Sequence, residues 1–364
     1  MMYSRRDLGR LALTTIPAVG LSGAWRPGSL TAAAVPQRAA VARPNSLIGG
    51  VQIGLIAPYS FGQEATDASN ILWNLVHLGI SAVELSSAAA EAFVGVPAPG
   101  SATTAAATGR GRAGGAASPA ASPNSATPAA TPAPAGGRQG GRAALTPAEL
   151  AAQRAQQAET RRARLGIPMD RYKALRTLYN NAGVSIVAFR MTLTMEMTDE
   201  EYDYAFQAAQ ALGANQVSME LPTDPLLFKR IGAFGEKHKL YAAYHTHLQG
   251  SMTAFDAAFA ASKANMSQID VGHYVAGTSE SPIPFFQKHH ARIASFHMKD
   301  RKKDGGPNMP WGQGDTPLAE LLQLIRKNNW KMPAIIELEY PVPAGSTRVA
   351  EIAKCLQYCR EALA

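Results

Sequence analysis

The chain has 364 residues, 46% of them hydrophobic and 17% charged, a balance that fits a globular protein and excludes a polar, disordered one. Its formal charge of +8 is local: residues 1–46 carry +5 and residues 97–166 carry +6, which leaves the rest at −3. A slightly acidic remainder excludes the broad basic face that nucleic-acid binding needs.

At the N-terminus, Ser4-Arg5-Arg6-Asp7-Leu8 precedes an apolar stretch from Leu11 to Ala24 that is too short to span a bilayer comfortably. A charged segment before a short apolar one marks a signal peptide, and the paired arginines resemble the twin-arginine (Tat) type. Residues 1–45 are therefore expected to be signal and linker, with small residues at Ala32-Ala33-Ala34 offering one cleavage site. The expected location is periplasmic or otherwise extracytoplasmic, with no stable membrane anchor once the signal is removed.

From residue 46 onward short apolar runs alternate with amphipathic helical stretches. The expected strands are Val51–Ala57, Ala82–Ser86, Ser185–Met191, Gln216–Glu220, Tyr241–His245, Met266–Asp270, Ile293–His297 and Ala334–Glu337. Eight strand–helix units with short connections imply parallel strands joined by right-handed crossovers, and hence an α/β (β/α)₈ TIM barrel. The segment 97–143 is nearly all Ala, Gly, Pro, Ser, Thr and Arg, which cannot repay its ordering entropy. It is expected to be a disordered insertion after strand two, followed by a polar helix that starts at Thr146-Pro147-Ala148-Glu149, so that about 97–166 interrupts one barrel domain. Cys355 and Cys359, one turn apart on the last helix, are expected to pack as small hydrophobes.

The polar residues gather where the later strands end, which in a barrel is the catalytic rim. Strand four ends at Glu220, strand five in His245-Thr-His247, strand six in Asp270-Val-Gly-His273, strand seven in His297-Met-Lys299-Asp300, and strand eight in Glu337-Leu-Glu339. Side chains alternate along a strand, so His245 with His247, His297 with Lys299, and Glu337 with Glu339 should point the same way. Carboxylates and imidazoles converging at a barrel mouth suit a divalent cation, Mn²⁺, Mg²⁺, Co²⁺ or Zn²⁺. Glu84, at the end of strand two, is expected to face the same mouth, in contact with sugar or in a structural role.

Glu220, Asp270-Val-Gly-His273, His297-Met-Lys-Asp300, the Gly312-Gln-Gly-Asp315 loop and Glu337 together resemble the xylose isomerase-like TIM barrels, the sugar phosphate isomerase/epimerase group. The resemblance runs from about Ser46 to Ala364 apart from the insertion. It implies that Glu220, Asp270, His297 and Glu337 bind the metal and that His273 contacts substrate oxygens. The implied reaction is isomerisation or epimerisation of a sugar or keto-sugar, with Glu220 and Glu337 removing and returning a proton through an enediolate. His245 and His247 bind substrate hydroxyls, act as acid and base, or sit behind the site. Lys299 either steadies an oxyanion or pairs with Asp300 or Glu339. The Gly312–Asp315 loop with Trp311 is either a flexible cover or a turn whose Asp315 or Thr316 caps the next helix.

Two alternatives stay open at this level. The same metal and carboxylates suit a lyase of the inosose dehydratase or 3-keto-glycoside-cleaving kind, and a non-catalytic sugar-binding barrel would share the fold. An endonuclease IV-type enzyme needs histidines on strands two and three, where this chain has Glu84 and Arg190. A homo-oligomer is neither required nor excluded by the sequence.

Overall fold

A computed structural model describes residues 43–97 and 146–364. The expected export signal and most of the expected insertion lie outside the described residues. By contacts the described residues divide into two units, 43–97 with 161–364, and 146–160.

The larger unit is a nearly closed barrel of eight parallel strands, as the sequence pattern predicts. They are β1 (Val51–Ala57), β2 (Ala82–Ser86), β3 (Ser185–Arg190), β4 (Gln216–Glu220), β5 (Tyr241–His245), β6 (Asn265–Gln268), β7 (Phe296–Met298) and β8 (Ala334–Ile336). Pairing runs β6-β5-β4-β3-β2-β1-β8-β7. Between β6 and β7 only isolated parallel bridges remain, Ser267 with Ile293 and Asp270 with His297. The expected strands six and seven therefore shrink: Asp270 and Ile293 hold single bridges at the ends of segments that have already bent out of the ladder. Leu47–Ile48 pairs antiparallel with the start of β1.

Helices follow most strands, and their ends are fixed by local chemistry. Helix α1 (Ala68–Leu78) begins at Asp67, whose carboxylate accepts from the backbone N–H of Ser69 and Asn70, and stops at left-handed Gly79. After β2 comes α2 (Ser87–Val94). The long α3 (Pro147–Gly166) starts where the sequence predicts: Thr146 and Glu149 form a reciprocal cap in which each side chain accepts the other's backbone N–H. Next are α4 (Met169–Asn181), α5 (Asp199–Leu212) and α6 (Pro225–His238). The second half carries α7 (Asp256–Ala261), α8 (Val271–Thr278), α9 (Ile283–His289), α10 (Leu318–Lys327) and α11 (Arg348–Ala362). Among the described residues no helix is long and apolar enough to cross a membrane.

The apolar core lies between strands and helices, where Val83, Leu85, Val217 and Met219 are buried, and Cys355 and Cys359 are buried free thiols within it. Inside the barrel the alternate positions are polar. Gln216 and Gln268 both donate to Ser295 Oγ, at 2.8 and 2.9 Å, and Gln268 also donates to Glu84 Oε2 at 2.8 Å. These bonds tie the amide nitrogens of the stack to Ser295 and Glu84, while Gln216 Oε1 and Gln268 Oε1 have no hydrogen-bond partner.

Candidate active site and metal centre

The ends of β4 to β8 bring the rim residues to one place. Glu220 stands opposite His245 in the β4–β5 register, and Asp270 opposite His297. Ligand atoms of His245, Asp270, His297 and Glu337 all lie within 4.8 Å of one another, and all four residues are buried. Three of these are metal ligands implied by the sequence resemblance; the fourth is His245 in place of Glu220. Glu220 groups instead with His245 and His247, again within 4.8 Å. Its side chain is 42% exposed and pairs with Arg190, with His247 Nε2 at 3.5 Å.

His297 is clamped by two carboxylates, Nδ1 to Glu337 Oε2 at 2.5 Å and Nε2 to Glu84 Oε2 at 2.8 Å. Burial alone would lower its pKa, but Glu84 and Glu337 outweigh it and raise His297 to about 9. Burial pushes both carboxyls up in turn, and His297 more than reverses this, so Glu84 is lowered and Glu337, helped by Lys299, falls well below the ordinary range. Glu84 is wholly buried, with Ser218 Oγ donating to Oε1 at 2.8 Å. The expected contact with sugar is therefore not available to it in this arrangement. It braces His297 from below.

Lys299 takes the salt-bridge alternative and pairs with Glu339 rather than Asp300. Its ammonium, 2% exposed, sits among Glu339, Glu337 Oε1 at 3.1 Å and Asp270 Oδ2 at 3.2 Å. Those carboxylates overcome the cost of burial and raise its pKa, so it stays charged. Asp270 caps α8 through Oδ1, which accepts from the His273 N–H at 2.7 Å. Burial lifts Asp270 to about 7 against the pull of Lys299. Gly272 is required here because a Cβ would meet the Lys299 side chain and carbonyl at 2.5 Å. His273 accepts from Arg301 Nη1 at 2.7 Å on Nδ1, which leaves the ring proton on Nε2, 3.8 Å from Glu339. Burial, then Lys299 and Arg301, lowers His273 to about 3, so it is neutral. His245 is likewise held neutral, by burial and by charged His297.

The donor set suits a divalent cation. Two buried atoms, His245 Nδ1 and Asp270 Oδ2, lack a well-directed hydrogen bond although both belong to the four-residue group. Two imidazoles with two carboxylates match the mixed nitrogen and oxygen ligation of Zn²⁺ or a similar first-row ion.

The loop after β7 is fastened down rather than free. Asp300 Oδ2 accepts from the N–H of Gly312 and Gly314, both at 2.8 Å, and Oδ1 from Thr316 at 3.1 Å. The first residue of α10 follows Pro317, and neither Asp315 nor Thr316 caps the helix. Their oxygens are used elsewhere in the loop, on Lys303 N–H and Arg301 N–H. His289, on α9, has its ring 4.8 Å from that of Phe285.

Sequence reasoning missed Arg190, Arg301 and Tyr59 as members of the site. Arg190 had a signal, since it ends β3 in register with Ser218 of β4. Tyr59, whose hydroxyl donates to Glu339 Oε1 at 2.9 Å, lies beyond β1 with nothing local to distinguish it.

No protein-family model matches the chain, and no curated protein matches it in sequence. Solved structures do match in fold. A sugar phosphate isomerase/epimerase from Parabacteroides distasonis has a TM-score of 0.52 at 16% identity, covering 86% of this chain and 96% of that one. An IOLI protein with a binding zinc atom has a TM-score of 0.53 at 9% identity, covering 86% and 98%. A xylose isomerase domain protein from Alicyclobacillus acidocaldarius has a TM-score of 0.51 at 13% identity, covering 86% and 99%. At such identities the likeness establishes a shared barrel.

Proposed function

We propose that the chain is a metal-dependent sugar isomerase or epimerase that moves a proton on the carbon beside a sugar carbonyl. The observation that carries this reading is the buried group His245, Asp270, His297 and Glu337 at the strand ends, in which His245 Nδ1 and Asp270 Oδ2 have no well-directed hydrogen bond. The fold shared with structures named for sugar isomerisation and for a binding zinc atom supports it.

Asp270, His297, Glu337 and His245 would hold a divalent cation, with Zn²⁺, Mn²⁺ and Co²⁺ better suited than Mg²⁺ to two imidazoles. Such an ion supplies Lewis acidity to a carbonyl oxygen and its neighbouring hydroxyl, which acidifies the C–H between them. Glu220 and Glu337 form the proton-transfer pair in unlike surroundings. Glu337 is buried and tied to His297 and Lys299, whereas Glu220 reaches the open side and takes the substrate proton. His273, neutral and protonated on Nε2, donates to a substrate oxygen, with His247 beside it at the open rim. Lys299 balances Glu339 and Asp270 and keeps both aimed at the mouth. Export through a twin-arginine-type signal belongs to the same proposal and rests on Arg5-Arg6 and the apolar stretch after them.

The test is incubation of the metal-loaded protein with keto-sugars and 3-keto-glycosides in D₂O. Deuterium should enter beside the carbonyl without fragmentation. Release of water or an aglycone would replace isomerase by lyase. A protein that holds no metal when supplied with it, and exchanges no deuterium, would overturn both.

A further inference from the structure

Beside the centre runs a groove of about 510 Å³ that the proposed proton transfer does not use. Its lining includes Pro58, Tyr59, Gln63, Thr66, Leu338 and Glu339. Its volume falls within the roughly 300–1,000 Å³ of small-molecule clefts. We propose that this groove is a second-sugar subsite, so that the substrate is a glycoside or disaccharide rather than a free monosaccharide. The inference rests on the sugar chemistry proposed above and names its substrate class.

Three observations carry it. The groove is continuous with the centre through one side chain: Glu339 lines it and also holds Lys299, which in turn touches Asp270 and Glu337. The groove and the centre thus share one chain of ion pairs, with Glu339 at the groove end. Next, Tyr59 is 47% exposed as a residue, and its hydroxyl donates to Glu339. Burial and the nearby Glu339 raise the Tyr59 pKa, so the phenol stays a donor. An exposed ring with an anchored polar tip is a platform for the C–H face of a pyranose.

The groove is also pre-formed. Arg348 ties its two walls together, with Nε on Ser60 O and Nη2 on Leu338 O, each at 2.6 Å. Ser60 Oγ accepts from the Leu338 N–H at 3.1 Å across the same gap. Gly62, at φ 58°, lets the loop pass over Arg348, whose Cδ a Cβ would meet at 3.1 Å. A cleft held open in this way needs no ordering when a ligand enters.

Calorimetric titration of the metal-loaded protein with glucose, methyl β-glucoside, cellobiose and maltose tests the idea without relying on turnover. At least one disaccharide should bind about tenfold or more tightly than glucose. Thr66→Trp, which adds bulk to the lining of the groove at a residue outside the proposed centre, should remove that preference while glucose affinity stays as it was. Tyr59→Ala should lower disaccharide affinity several-fold, with thermal melting confirming that both variants fold. Equal affinity for glucose and the disaccharides, or a preference that survives Thr66→Trp, would overturn the subsite. A disaccharide preference that Thr66→Trp removes, in a protein that exchanges no deuterium with any sugar, would uphold the subsite and reject the isomerase reading.

Discussion

Raising the pH of the metal-free protein from 7 to 9 should weaken it through His297. Glu84 and Glu337 hold this imidazole protonated to about pH 9, against an ordinary value of 6.5. The folded state thus binds the proton more tightly than the unfolded chain does, so the stabilisation is complete below pH 6.5 and is lost as pH rises through 9. At about 1.4 kcal/mol for each tenfold change in proton affinity, the full loss is roughly 3 kcal/mol, of which about 2 kcal/mol falls between pH 7 and 9. Asp270, raised to about 7, acts in the same direction but mainly below this window. His273, lowered to about 3, matters only on the acid side, where stability falls as pH drops below 6.5. Urea unfolding in chelator at constant ionic strength would measure the loss. In Glu84→Gln one of the two clamping charges is gone, so the alkaline loss should shrink to about half. Flat stability from pH 7 to 9, or a Glu84→Gln curve parallel to that of the parent, would refute the assignment of charge to His297.

Cation binding requires His297 to give up this proton, so the apparent metal association constant should rise with pH up to about 9, by up to about tenfold per unit; calorimetric titration with Zn²⁺ at stepped pH checks it. Glu220→Gln should cut deuterium exchange by about 10²–10⁴-fold yet leave metal stoichiometry unchanged, because Glu220 lies outside the four-residue buried group; elemental analysis beside exchange kinetics separates the two. Asp300→Ala leaves three backbone N–H groups of the loop without their acceptor, at Gly312, Gly314 and Thr316. It should cost about 1–3 kcal/mol and speed proteolysis between residues 301 and 316.

The barrel was legible because each strand is a short apolar run between helical patterns, and β1, β2, β4 and β5 have the expected limits. The segments after β6 and before β7 read as strand because Ile269, Ile293 and Ala294 are apolar; they are buried by packing without a continuous ladder. The rim residues were legible as strand ends, and alternation correctly set His297 with Lys299 and Glu337 with Glu339 on shared faces. The distances between strands were not legible, and those distances decide roles. The structure puts His245, rather than Glu220, within reach of Asp270, and it seals Glu84 beneath His297. Tyr59 escaped notice because its partner, Glu339, lies 280 residues away.

The gap between β6 and β7 has a mechanical meaning. Only two isolated bridges join the backbones there, and one of them is formed by Asp270 and His297 themselves. Around it the seam is stitched by side chains: Gln268 to Ser295 at 2.9 Å, and Arg292 to the Asn265 carbonyl at 2.7 Å. A ligand held between Asp270 and His297 would act as a clasp on the weakest joint of the cylinder. Filling the centre and shutting the barrel are then one event, and amide exchange along residues 265–270 and 293–298 should slow together when the clasp closes.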